Sequence, residues 1–272
     1  MSEECNHQCE GCNKSCNQRI EKAQPNSLSK IKKIIGVVSG KGGVGKSLVS
    51  SLLACRLQKQ GFRVGLLDAD ITGPSIPQSF GLKQKAMGEN NVIFPVISNT
   101  GIQIMSANLL LENNDDPIIW RGPMIGDLVR QFYTDVWWNE VDFLIVDMPP
   151  GTGDVALTTF QYLPVDGIII VSSPQELVSM IVKKAIKMAD EMNVPILGLV
   201  ENMSYVECSN CKEKIYIYGK SHIDEVAKTF NLDVLAKLPI KENIATKVDN
   251  GMVEDLDVPE IDQIITKLKS LC

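Results

Sequence analysis

Five short, nearly unbroken apolar runs punctuate this chain of 272 residues. They are IIGVVSG (34–40), FRVGLLDAD (62–70), VDFLIVD (141–147), DGIIIVSS (166–173) and VPILGLV (194–200). The first is rich in β-branched residues, and none shows the alternation of a strand with one face in water. Strands of that kind are buried on both faces, as in a parallel sheet covered by helices. Between the runs the apolar spacing lengthens to a helical one, over Ser47–Gln60 with Gly61 as its C-terminal stop, then over 124–135, 175–192 and 221–230. The pattern therefore predicts an α/β fold, a mostly parallel sheet with helices on both faces. A final stretch, 261–272, sets Ile261, Ile264, Ile265, Leu268 and Leu271 on one side, with only Lys267 and Lys269 on the other. That is a helix to dock on the core rather than to lie on a membrane.

Residues 1–30 do not share the pattern. They are rich in Cys, Asn, Gln, Ser and Lys, and they join the remainder through Gln24-Pro25-Asn26-Ser27. The chain thus divides into a Cys-rich N-terminal extension, 1–30, and an α/β domain, 31–272.

Composition narrows the function classes. Apolar residues make up 44% and charged residues 22%, an ordinary globular balance. A net charge of −6 argues against a surface devoted to nucleic-acid phosphates, so no nucleic-acid partner is expected. No apolar run approaches the length of a membrane span, and Met1-Ser2-Glu3-Glu4 opens no export signal. Eight cysteines in such a chain point to thiols or metal ligands in a reducing cytoplasm rather than to disulfides.

The chemistry begins where the first strand ends. GKGGVGKS comprises Gly40, Lys41, Gly42, Gly43, Val44, Gly45, Lys46 and Ser47, and it fits G-x-x-x-x-G-K-[ST] between a strand and a helix. Its glycines let backbone N–H groups converge on phosphate oxygens, and the helix behind adds a partial positive charge. Lys46 is placed for the β- and γ-phosphates of ATP, and the Ser47 hydroxyl for Mg²⁺. Asp147 ends the strand FLIVD, the position of a carboxylate that holds Mg²⁺ through water. Asp68 and Asp70 end VGLLDAD; Asp70, before the turn at Gly73-Pro74, is the stronger candidate to orient the attacking water. PPGTGD (149–154) has the glycines of a loop that senses the γ-phosphate.

Two cysteine clusters follow another logic. Cys208 and Cys211 form a C-x-x-C on a Ser-Asn turn. A pair gives half of a four-thiolate site, so a second copy of the chain would complete a metal or cluster site. A zinc ribbon within one chain and a redox pair are the alternatives, although a redox pair belongs at a helix start. Cys5, Cys9, Cys12 and Cys16 recur at helical spacing, yet on one α-helix the first and last would stand about 16 Å apart, at roughly 1.5 Å per residue. Asn6, Gly11 and Asn13 form helices poorly. The tail is then a wrapped loop that binds a 4Fe–4S cluster or zinc, or a set of reactive thiols.

Taken together, GKGGVGKS, LLDADITGPSIP (66–77), WRGPM (120–124), VDMPPGTGD (146–154) and ENMSYVECSNC (201–211) resemble the Mrp-type iron–sulfur cluster carrier ATPases. Lys41 resembles the signature lysine of the deviant Walker A class of P-loop NTPases. The resemblance implies the parallel α/β fold of partition and septum-site ATPases, and a homodimer in which Lys41 reaches the partner's nucleotide. It also implies that Asn202 contacts the adenine and that a labile 4Fe–4S cluster bridges two Cys208–Cys211 pairs. The implied activity is slow ATP hydrolysis coupled to delivery of the cluster to apo iron–sulfur proteins in the cytoplasm, with no membrane partner. An electron-transfer iron protein and a partition-type positioning ATPase are the competing readings.

Overall fold

The computed structural model describes residues 22–71, 73–90, 92–111, 122–175 and 178–272. Cys5, Cys9, Cys12 and Cys16 lie outside the described residues.

The chain opens with β1 (Lys30–Ser39), α1 (Lys46–Lys59), β2 (Val64–Asp68) and the short α2 (Ile76–Ser79). A peripheral segment follows, with β3 (Met87–Glu89) and β4 (Val92–Phe94) forming a small antiparallel pair and β5 (Val96–Ile97) leading to β6 (Gln103–Met105). Next come α3 (Gly122–Thr134), β7 (Glu140–Asp147), α4 (Asp154–Tyr162), β8 (Gly167–Ser172) and α5 (Val178–Glu191). The last part holds β9 (Ile196–Glu207), β10 (Lys214–Ile215), α6 (Ile223–Phe230), β11 (Val234–Pro239), α7 (Glu242–Asp249) and α8 (Asp262–Lys269). The main sheet runs β9-β8-β1-β7-β2-β6-β5, with β11 and β10 both paired to β9. Only the β5–β6 and β9–β10 pairings in it are antiparallel.

Why the strands read as continuous apolar runs is plain from their packing. Along β1, Ile34 and Val38 enter one core layer, and Ile35 and Val37 enter the other. The first layer contains Phe132 of α3, Phe160 of α4, Ile186 of α5 and Val226 of α6. The second contains Leu53 of α1, Ile76 of α2, Ile244 of α7 and Ile265 of α8. Successive side chains point to opposite faces, and both faces are covered, so the middle of β1 is apolar on both sides. Each large aliphatic side chain buried this way contributes about 1.5–3 kcal/mol. The terminal stretch behaves as its pattern predicts: Ile264, Ile265 and Leu268 of α8 are buried in the second layer.

Two features exceed the apolar runs. β9 continues to Glu207, past the end of its run at Val200, because it is flanked by β11 and then gains β10 as a partner. Its buried Glu201, Asn202 and Ser204 are polar, but each is hydrogen-bonded. The strands β5, β6 and β11 are too short or irregular to leave a periodic signal.

Register fixes the site. Asp147 at the end of β7 lies opposite Val37 of β1 and Asp68 at the end of β2. In a parallel sheet these carboxyl ends open onto one crevice, the usual location of ligands in α/β folds.

Candidate nucleotide and thiol sites

The loop leaving β1 is shaped by its glycines. Gly43 and Gly45 adopt φ of 79° and 82°, a region that costs other residues about 1–2 kcal/mol. Gly45 has a second reason to lack a side chain, since a Cβ there would meet the Asn202 Nδ2 at 2.1 Å. Around Gly42 and Gly43, by contrast, nothing lies within 4 Å of a Cβ position, so the cradle is open. α1 starts at Lys46 and turns its unpaired N–H groups toward that space.

Beneath the cradle lies a compact charge cluster. Lys46, only 5% exposed, places Nζ 2.8 Å from Asp147 Oδ2 and 3.7 Å from Asp70 Oδ2. The Ser47 hydroxyl donates to Asp147 Oδ2 and the Ser50 hydroxyl to Oδ1, each at 2.6 Å. Ser50 carries no motif signal; it lies one helical turn beyond Lys46, on the same face of α1. Asp68 is fully buried and accepts from the Ser106 hydroxyl at 3.1 Å and from the N–H of Asp70 at 3.2 Å. Burial, and next the charge of Asp147, push its carboxyl well above the usual carboxylate range. Sequence reasoning preferred Asp70 to Asp68; the fold brings both to the cluster.

The donor set fits the groups that the motif calls for. A serine hydroxyl and a carboxylate in direct contact offer hard oxygens to Mg²⁺, which keeps its remaining positions for water and phosphate. Asp147 also borders the open cradle, whose glycines leave room for phosphate oxygens. The 149–154 loop joins the same crevice through the Gly151 N–H, which donates to the Ser39 carbonyl at 2.8 Å. Lys41 turns toward its own chain, with Nζ donating to Gln175 Oε1.

Asn202 bridges this cradle to a groove. Its Nδ2 donates to the Val44 carbonyl at 3.0 Å, and its other surroundings form a groove of about 270 Å³ lined also by Leu48, Tyr218, Pro239, Ile240 and Ile244. Apolar walls with one or two polar groups are typical of a small-molecule site. The groove lay beyond sequence reasoning because its walls come from four separated segments. A larger cleft, about 490 Å³, lies beside Arg63, Val64 and Glu140, at the opposite ends of β2 and β7 from the cluster.

The second site is the tip of the β9–β10 hairpin. The Cys208 N–H donates to the Glu213 carbonyl at 2.9 Å and the Lys212 N–H to the Cys208 carbonyl at 3.0 Å. Lys212 takes the left-handed conformation, φ 63°, that closes the turn. The backbone N–H of Cys211, then that of Asn210 and the Cys211 thiol, hydrogen-bond the Cys208 sulfur and hold its thiol below the ordinary value. Cys208 is half-buried and Cys211 exposed. Such a pair is a ready donor for a soft metal or cluster. Among the described residues no third His, Cys, Asp or Glu joins it to make a group of three. His222 instead faces Glu225 at 3.3 Å.

The comparisons with known proteins agree with this geometry. A family model described as ParA, NUBPL iron-transfer P-loop NTPase, matches residues 30–270. An iron–sulfur cluster carrier protein of Clostridium perfringens is 44% identical over 248 residues, covering 88% of this chain and 87% of the relative. The iron–sulfur cluster carrier protein of Methanococcus maripaludis is 40% identical over 262 residues, 93% of this chain and 91% of its own. A nucleotide-binding protein of Archaeoglobus fulgidus, solved in complex with ADP, superposes with a TM-score of 0.76 at 42% identity, covering 84% of this chain and 90% of that one. The cell division ATPase MinD of Pyrococcus furiosus shares the fold alone, with a TM-score of 0.65 at 18% identity over 88% of this chain and 99% of its own. Phosphate loop, paired strand-end carboxylates and thiol hairpin thus stand in one chain that belongs to the ParA/NUBPL-type family of iron-transfer P-loop NTPases.

Proposed function

We propose that this protein is an ATP-dependent iron–sulfur cluster carrier. The observation that carries the reading is an accessible two-thiol hairpin, with no third ligand among the described residues, on the same chain as a phosphate cradle. Two copies of the chain supply four thiolates, Cys208 and Cys211 from each, and the cargo is a 4Fe–4S cluster held between them. A cluster gripped by two ligands per subunit at an exposed turn is released readily to an apo-protein, which is what a carrier requires.

The nucleotide site acts with it. Lys46 binds the β- and γ-phosphates, and Ser47 and Asp147 would hold Mg²⁺, which would supply charge neutralisation for the transferred phosphoryl group. Asp70 orients the water that attacks the γ-phosphorus as the bond to the β–γ bridging oxygen breaks, giving ADP and phosphate. Gly40, Gly42, Gly43 and Gly45 present backbone N–H groups, Asn202 and its groove take the adenine, and Lys41 swings from Gln175 to the partner's nucleotide. Cys5, Cys9, Cys12 and Cys16 form a second site within each subunit.

Anaerobic reconstitution with iron and sulfide tests the reading. Protein lacking residues 1–21 is expected to take up one 4Fe–4S cluster per two chains, with a cysteine-ligated absorption and Mössbauer signature. Cys208→Ala/Cys211→Ala in the same background is expected to take up none. A full complement in the double variant, or tightly held zinc that iron does not displace, would overturn the carrier function.

A further inference from the structure

The segment that carries the thiol pair also builds a wall of the nucleotide groove. From Cys208 the chain turns back through β10 and then through Tyr216-Ile217-Tyr218-Gly219, a turn closed by the Gly219 N–H on the Tyr216 carbonyl at 3.2 Å. Tyr218 there lines the groove together with Asn202, Pro239 and Ile240. It is nevertheless 44% exposed, a large aromatic side chain without a full complement of neighbours.

Both ends of the segment are tied to β9, which carries Asn202. At its exit the Ser221 hydroxyl donates to Glu201 Oε1, and the Ser204 hydroxyl donates to Oε2 of the same carboxylate at 2.6 Å. Glu201 is buried and adjoins Asn202, whose amide holds the Val44 carbonyl at 3.0 Å. At its entry the segment is the direct continuation of β9, which carries Asn202 and ends one residue before Cys208. A base in the groove therefore touches the returning arm of the same hairpin whose tip presents the thiols.

We propose that Tyr218 is a base-stacking residue of the nucleotide site, and that through it adenine-nucleotide occupancy sets the position of the Cys208–Cys211 hairpin. This rests on the nucleotide-dependent carrier function above, and adds to it the physical connection between the two sites. Tyr218 offers a flat aromatic face to a flat base, and that stacking needs no hydrogen bond. Filling the groove draws the half-exposed ring, and with it the arm between Ile215 and Ser221, against Asn202 and Pro239. The same contact works in reverse: a hairpin drawn into a cluster-bridged dimer changes the groove and hence nucleotide affinity by the same factor.

The test uses full-length protein without cluster, with ADP as the probe. ADP affinity is measured by titration calorimetry, and the alkylation rates of Cys208 and Cys211 by peptide mass spectrometry, for wild type, Tyr218→Phe and Tyr218→Ala. Wild type is expected to change its alkylation rates several-fold at saturating ADP, and Tyr218→Phe to match it in both readouts. Tyr218→Ala is expected to bind ADP about tenfold more weakly, the usual loss for one base–aromatic stack, and to lose the thiol response even at saturation. Pyrophosphate, which has no base, is expected to bind wild type and Tyr218→Ala alike and to leave the thiol rates unchanged. Equal ADP affinity in wild type and Tyr218→Ala, or a thiol response that is absent from wild type or survives in Tyr218→Ala at saturation, would overturn the inference alone. A wild type that binds no ADP would overturn the nucleotide-dependent function, and the inference with it.

Discussion

At the scale of single residues, the site depends on what some positions lack. Gly45 combines a left-handed φ of 82° with the approach of the Asn202 amide to 2.1 Å from its missing Cβ. Gly45→Ala must therefore distort the loop or expel Asn202 from the Val44 carbonyl. The expected result is a loss of ADP affinity of tenfold or more with the fold intact, read by titration and circular dichroism. Backbone strain at this position separately costs the fold about 1–2 kcal/mol of stability. The glycine is legible in the motif, but its contact with Asn202 is not, because the two are far apart in the chain and meet only through the β1–β8–β9 pairing. Ser50 and Tyr218 were illegible for the same reason: a hydroxyl or an aromatic ring acquires a role only once a neighbouring segment is in place.

At the scale of elements, the sheet is held in register from both ends. At the end away from the site, Asp142 of β7 accepts from the Arg63 N–H at 2.9 Å, from its Nη2 at 3.0 Å and lies 2.8 Å from Lys32 Nζ. Hydrogen bonds from Arg63, with those from Lys32, hold its carboxyl well below the usual range. A depressed folded pKa gives stability that is present above the unfolded value, near 4, and is lost as pH falls below it. Asp142→Asn is thus expected to cost about 1–2 kcal/mol at neutral pH, the net worth of hydrogen bonds to a charged group. The deficit should shrink steadily below about pH 4, where Asp142 of the unfolded chain takes up its proton while the folded carboxylate is still charged. Urea midpoints of both proteins at neutral and acid pH measure it; a pH-independent deficit would mean that the role of Asp142 is only steric. The strands that this pair joins were legible as apolar runs because both of their faces are dry. β5, β6 and the polar half of β9 were not, because they owe their conformation to partners rather than to periodicity.

At the scale of the whole molecule, sequence and structure divide the work between two places that the chain links twice. The carboxyl ends of β1, β2 and β7 gather the phosphate chemistry, and the long β9 carries one edge of the sheet out to the thiols. On the arm that follows the thiols Ile215 and Ile217 are 51% and 60% exposed, an apolar patch on the same segment. The C-x-x-C is legible in the sequence as half of a proposed four-thiolate site. The proposed connection to the nucleotide is not, since it runs through a groove whose walls no single segment defines.

One buried side chain has a use of its own. Cys55 sits on α1, 4% exposed, and burial pushes its thiol up to about 12. In the native protein it is neither ionised nor reachable, so a thiol reagent that labels the exposed Cys272 at once must wait for the core to open. Cys55 is therefore an internal clock for unfolding, and α1 carries it on the same helix as Lys46. Labelling of Cys55 is expected to follow the global unfolding rate, and to slow when ADP is added in proportion to one plus the ratio of ligand to its dissociation constant. Its mass-resolved labelling half-life reads nucleotide binding from the interior of the protein, without a dye or a label at either site.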